Sequence, residues 1–180
     1  MKTWTAIVAA FTSIFFSSFC WSLDAPPPLE EGEGYVFVVI HTPWKSIKSV
    51  SLHSVDFFGD SEVIEDLEYG ENIRLIKLKE GKYSYSKIKL DNRYYIKFDE
   101  SDFTVDVSAG SINYGGHFFI YSPSYTRFRF QYVNRISAVL DELESCCEDL
   151  LEQYDLRYRG RYPDPFMEFY ESERNKVEMR

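Results

Sequence analysis

Between Tyr35 and Val133 apolar side chains return at every second residue in short runs broken by turn residues, and beyond Asn134 the period lengthens to about three and a half. Period two puts apolar groups on one face of a strand, whereas the longer period gathers them on one stripe of a helix. The chain therefore builds sheets first and a helix last.

Tyr35 to Ile40 is apolar on both alternating faces, which suits a strand covered on both sides, so it reads as a central strand. Lys48 to Val55 follows, with Val50 and Leu52 on one side and Ser49, Ser51 and His53 on a wet side. Asp56 to Asn72 sets Asp60, Glu62, Glu65, Asp66, Glu68 and Glu71 around few apolar anchors and reads as a loop or irregular edge. Ile73 to Leu78 and Tyr83 to Leu90 flank Glu80-Gly81, where glycine offers the positive φ of a tight hairpin. Within the second of these runs the apolar positions move from odd (Tyr83, Tyr85) to even (Ile88, Leu90), a shift that a one-residue bulge near Ser86 produces.

Tyr94, Ile96 and Phe98 share a face, and Phe103, Val105 and Val107 form the cleanest half-buried strand. Ile112 to Tyr121 is one long strand kinked at Gly115-Gly116, or two short ones. Phe128, Phe130 and Tyr132 alternate with Arg127, Arg129 and Gln131, which exposes the arginine face. Ile136, Leu140, Leu143, Cys147, Leu150 and Tyr154 then fall at helical steps, predicting one amphipathic helix of about five turns with Asn134 as its N-cap. The prediction is a mainly β chain: an antiparallel two-sheet, Ig-like β-sandwich with one C-terminal amphipathic helix. An open barrel is the structural rival. The aromatic content of 18% supports either, since Tyr and Phe suit half-buried pleated surfaces.

Ahead of the first strand, Lys2 precedes a largely apolar run from Trp4 to Phe16 and a short polar segment ending near Ser22, the layout of a secretory signal peptide. The run falls short of the roughly 20 apolar residues of a spanning helix. Cys20 and Ser22 are small residues suited to a cut before Leu23. The expected organisation is a signal peptide over 1–22, a Pro/Glu/Gly linker over 23–34, a β-sandwich domain over 35–133, a helix and docking tail over 134–170, and a disordered terminus over 171–180. Export places the chain in the periplasm or outside the cell. An alternative makes Cys20 a lipidation site and the protein a membrane-anchored lipoprotein; only in that case is a membrane a partner.

The net charge of −9 becomes −10 once Lys2 leaves, which repels phosphate backbones and sets nucleic acid aside as a partner. Besides Cys20 the cysteines are the adjacent pair Cys146 and Cys147, too few for a disulfide scaffold. They are either core or flank thiols, or the seat of an intermolecular disulfide in an oxidising compartment.

No phosphate loop, zinc spacing, nucleophile elbow or haem-attachment motif occurs, so no catalytic, cofactor-binding or metal-ligating residue is assigned and no cofactor is expected. His41, His53 and His117 would have to converge from separate strands to do chemistry, and a linear sequence does not report convergence. The acidic stretch from Asp56 to Glu71 is a solvated edge guard or, alternatively, a wrap for calcium without the spacing of an EF-hand loop. Arg127 and Arg129, with Arg157, Tyr158, Arg159 and Arg161 beyond the helix, make the candidate interaction patch, able to grip an anionic or sugar surface.

Leu78-Lys79-Glu80-Gly81-Lys82-Tyr83 resembles the hairpin of transthyretin-like and carboxypeptidase-regulatory-like sandwich modules. With Phe103 to Val107 and then Ala109-Gly110-Ser111-Ile112-Asn113-Tyr114-Gly115-Gly116, the order is similar to uncharacterised bacterial envelope proteins, often lipoproteins, over Tyr35 to about Val133. The resemblance implies an exported β-sandwich and carries over no catalytic residue. The expected function is that of a noncatalytic envelope protein acting as a protein-interaction or structural module, with an unknown envelope protein as partner. A β-sandwich binding a small ligand or carbohydrate is the alternative, and an enzyme the third reading.

Overall fold

The computed structural model describes residues 27–43, 47–55, 61–98, 103–124, 127–161 and 163–178; the expected signal peptide, its expected cut before Leu23 and Cys20 lie outside them. Ten strands and three helices follow in order: β1 Glu33–Thr42, β2 Ser49–Ser54, β3 Ser61–Glu65, β4 Gly70–Lys79, β5 Gly81–Lys89, β6 Tyr95–Lys97, β7 Thr104–Val107, β8 Ser111–Ser124, β9 Arg127–Val133, α1 Ile136–Cys146, α2 Glu148–Gln153, β10 Asp155–Tyr158 and α3 Phe166–Glu178. The chain is mainly β, as its alternation predicts.

Two sheets stack face to face. The first runs β10-β8-β1-β4, with β9 pairing the far half of the β8 edge that β10 occupies; the second runs β3-β2-β5-β6, with β7 also on β5. Even-numbered Val36, Val38 and Ile40 of β1 meet Val50, Leu52, Tyr83, Tyr85, Ile88, Val105 and Val107 of the second sheet. Odd-numbered Tyr35, Phe37 and Val39 point the other way, into a second core made with Ile136, Val139, Leu140 and Leu143 of α1 and Leu156 of β10. The central strand expected from Tyr35 to Ile40 is thus covered on both faces, by a sheet and by a helical layer.

Several expectations are corrected. The first sheet is mixed: β8 runs parallel to β1, and β10 parallel to β8. A parallel neighbour needs a long return connection, and β9, α1 and α2 supply it between β8 and β10. The Glu80-Gly81 turn does not close a hairpin, because β4 pairs with β1 while β5 pairs with β2, β6 and β7. The turn instead passes the chain from one sheet to the other. Leu78 and Tyr83 both reach the core between the sheets, each from its own sheet.

The single long helix breaks at Cys147, whose φ of −148° leaves helical geometry. Ser145, Cys146 and Cys147 are weak helix formers, and Glu148 and Asp149 sit better in the first turn of a new helix than in the last turns of an old one. The reading of one C-terminal helix is therefore replaced by three helices, α3 taking in most of the charged terminus. The linker also docks: Leu29 packs on the second core and the Tyr35 hydroxyl donates to the Pro27 carbonyl at 2.8 Å.

Candidate functional site

The helical layer covers only part of its face of the first sheet. Past Val39 that face carries a row across four strands: Glu71 of β4 pairs with His41 of β1, His41 with Phe119 of β8, and Phe119 with Gln131 of β9. One step nearer the helices, Ile73, Val39, His117 and Val133 form the parallel row. One step further out, Tyr121 pairs with Arg129.

His117 reaches this face because of the glycine pair. Tyr114 faces the helical core, and strict alternation would turn residue 117 to the opposite side. The register between β1 and β8 slips between Phe37 and Val39, so that Phe37 pairs with Tyr114 but Val39 with His117. The extra residue falls at Gly115-Gly116, where Gly116 has φ +143°. From there Phe118 and Ile120 enter the core between the sheets, while His117, Phe119 and Tyr121 line up beside His41.

The rings stack. His41 lies on Phe119 with centroids 4.1 Å apart and planes 9° apart, Phe119 continues to Tyr121 at 5.9 Å, and His117 stands 5.6 Å from His41. The Arg135 guanidinium covers Phe119 at 5.0 Å. Tyr114 backs the group: its hydroxyl meets His117 Nδ1 at 2.5 Å and accepts the Arg135 backbone N–H at 3.0 Å. His41 Nε2 is 2.8 Å from Glu71 Oε2, yet the ring N–H direction misses that oxygen, leaving Nε2 buried without a hydrogen bond.

Burial, with His41 and the Arg135 charge beside it, pushes His117 down to about 4. Burial also lowers His41, reinforced by Arg135 and opposed by Glu71. Both imidazoles are neutral at pH 7, the form in which a ring nitrogen offers a lone pair.

Outward from these rings a cleft of about 910 Å³ opens, lined by His41, Tyr69, Phe119, Tyr121, Arg129 and Gln131 among others. No carboxylate is among its described lining residues. Its walls offer ring faces, hydroxyls, an amide and one guanidinium.

Of the sequence-derived patch, only Arg129 lines this cleft. Arg127 sits opposite Ser124 at the far end of β8, whereas Arg157 sits opposite Asn113. At about 3.3 Å per residue these two positions are roughly 35 Å apart along one strand. Leu156 and Tyr158 of β10 face the helices, so Arg157 takes the other face, paired with Asp155 at 2.9 Å. Arg159 is held by its backbone, its N–H donating to the Tyr114 carbonyl and its carbonyl accepting from Asp106. Arg161 is exposed. The structure therefore splits the patch: Arg157, Tyr158 and Arg159 border one hollow with Asp155 and Asp164, far from Arg127 and Arg129. Cys146 and Cys147 are both half-exposed at the break between α1 and α2, and neither lines the cleft.

The sequence missed the convergence of His41, Glu71 and His117; the one local signal was the Gly115-Gly116 pair immediately before a histidine. His53 lies apart on β2 of the second sheet. Of the acidic stretch read as a loop or irregular edge, residues 56–60 lie outside the described residues, Ser61–Glu65 is edge strand β3 paired only with β2, and Glu71 already belongs to β4. No family model, curated protein or solved structure matches this chain at a significant level.

Proposed function

We propose that this chain is an exported, noncatalytic binding module built on a transthyretin-like sandwich, and that it holds a small ligand of the carbohydrate class in the cleft at the uncovered end of its first sheet. The observation that carries the reading is the composition of the cleft. A ladder of parallel rings from His41 through Phe119 to Tyr121 gives the cleft an aromatic wall, and Arg129 and Gln131 stand beside it as donors. Apolar walls with a few fixed polar groups are what a small-molecule site requires. The guanidinium and the lack of lining carboxylates favour a ligand with acceptor oxygens, neutral or acidic. Export rests on the apolar leader behind Lys2.

Titration with a panel of neutral and acidic oligosaccharides, followed by amide chemical shifts, tests this. Shifts should gather at Phe119, Tyr121, Arg129 and Gln131, and Arg129→Ala should abolish them with its melting unchanged. A folded protein that shifts with no member of the panel overturns the reading.

The second reading, contact with another envelope protein, is favoured by Tyr94 and Tyr95, which are 66% and 58% exposed at the start of edge strand β6. Aromatic side chains on an unpaired edge suit a protein surface. Crosslinking in the envelope that is lost on Tyr94→Ala and Tyr95→Ala, but kept on Arg129→Ala, would establish it in place of the first.

A further inference from the structure

We propose that His41, Glu71 and His117 bind one first-row divalent transition-metal ion, zinc being the type case, with a coordination position open toward the cleft. Two imidazole nitrogens and one carboxylate oxygen come from three different strands, and their ligand atoms lie within 4.8 Å of one another. Bonds of about 2.0–2.1 Å at tetrahedral angles put neighbouring ligand atoms about 3.3 Å apart, so a small inward movement of the side chains closes the set around an ion.

Three features set this trio apart from an ordinary histidine–glutamate contact. First, His41 Nε2 is buried and stands 2.8 Å from Glu71 Oε2 without the geometry of a hydrogen bond. A buried ring nitrogen facing a carboxylate without that bond is what a shared cation satisfies.

Second, His117 is oriented through its other nitrogen, as metal-ligating histidines are. Tyr114 Oη accepts the Arg135 N–H and lies 3.4 Å from the Val133 carbonyl. With its own proton turned to Val133, it accepts from His117 Nδ1–H at 2.5 Å and leaves Nε2 as the lone-pair nitrogen.

Third, the placement depends on a distorted strand: the Gly115-Gly116 bulge turns His117 toward His41, and Gly116 occupies a φ of +143°. Glycine takes that φ where other residues do not, and a bulge at such a point is a recognised way to re-aim a side chain.

The donor set selects the metal class. Imidazole with a carboxylate suits zinc and its first-row neighbours, whereas calcium and magnesium want oxygen ligands throughout. The Arg135 guanidinium opposes a cation here, and the Glu71 charge offsets it. Glu71 is 46% exposed and His41 lines the cleft, so the ion would be reached from that side. The inference does not depend on what else the cleft holds.

The test is zinc titration of chelator-stripped protein in competition with a chromophoric chelator, followed by cobalt substitution. The expected result is one zinc per chain and the visible absorption of a low-symmetry cobalt site. Glu71→Gln and His41→Gln should each weaken zinc binding at least tenfold with melting nearly unchanged in the stripped state, while His53→Gln leaves it intact. Glu71 is half-exposed, so its variant reports on binding even if a His117 variant fails to fold. Folded protein that takes up no zinc, or zinc binding that His53→Gln weakens as much as Glu71→Gln does, overturns the proposal. Neither result bears on oligosaccharide binding, which Arg129→Ala tests separately.

Discussion

Tyr114 and His117 meet side chain to side chain at 2.5 Å across the two glycines that separate them. In an unbroken strand, residues three apart point to opposite faces. The contact exists because the Gly115-Gly116 bulge inserts one position, and the same insertion puts the β8 side chains beyond it in step with His41 on β1.

Removing that freedom should be costly. A Cβ on Gly115 would overlap Tyr132 Oη and stand 2.8 Å from Val105 Cβ, inside the core between the sheets. Gly115→Ala should cost about 1–3 kcal/mol, the range for overfilling a packed interior. Urea unfolding measures it; a loss below about 0.5 kcal/mol, the scatter of neutral surface changes, would mean the bulge is not held by that packing.

Tyr114→Phe removes an acceptor and leaves the ring in place. The Arg135 N–H loses its partner at the start of α1, and the loss of that partly buried hydrogen bond costs about 0.5–1.5 kcal/mol. A purely structural tyrosine would show only that loss. If Tyr114 also orients a metal ligand, zinc affinity should fall about 10–100-fold, the range for a group that holds a ligand in place. Zinc titration of the folded variant separates the two.

Asn134 ties two helix starts together. Its Oδ1 accepts the Ile136 N–H at 3.0 Å, and its Nδ2 donates to Asp164, whose other oxygen accepts the Phe166 N–H at 2.9 Å. The N-cap itself is Arg135, which makes no side-chain cap bond, so Asn134 acts one position ahead of it, and Asn134→Ala should cost about 0.5–1.5 kcal/mol, as the loss of a hydrogen bond does. It should also loosen α3, read as faster amide exchange there than in α1. Equal protection of α3 in variant and parent would show that Asp164 caps the helix without Asn134.

The helix start was legible in the sequence because it is local, an Asn immediately before a change of period, although the N-cap falls on Arg135 and not on Asn134. The Ser86 bulge was legible for the same reason, since the odd-to-even move from Tyr85 to Ile88 records it, and the slip between Ser51 and Leu52 opposite matches it. Alternation reports which way a side chain faces but not which strand lies alongside. Glu80-Gly81 therefore announced a reversal without saying that β4 and β5 belong to different sheets. Leu156 and Tyr158 alternate with Arg157 and Arg159, yet four residues after a helix read more readily as a charged tail than as β10. The site failed to appear for the deepest form of this reason: His41 and His117 are brought together by parallel pairing between β1 and β8, strands separated by the whole second sheet.

The depressed histidines make stability depend on pH with a definite sign. An unfolded histidine titrates near 6.5, whereas folded His117 titrates near about 4, lowered by burial and then by His41 and Arg135; His41 is lowered by burial and Arg135 against Glu71. Below 6.5 the unfolded chain takes up protons that the folded chain refuses, so stability is complete above 6.5 and drains away as pH falls toward 4. Carboxylates contribute at the lower end of this range, so the diagnostic window is pH 6.5 down to about 5. Urea midpoints of the metal-free protein should fall through that window. Arg135→Gln keeps the backbone N–H bonded to Tyr114 and removes a charge that opposes protonation of both rings, so it should flatten the slope. His41→Gln should flatten it as well by removing one of the two titrating rings. A slope the same in parent, Arg135→Gln and His41→Gln would place the pH dependence elsewhere in the molecule.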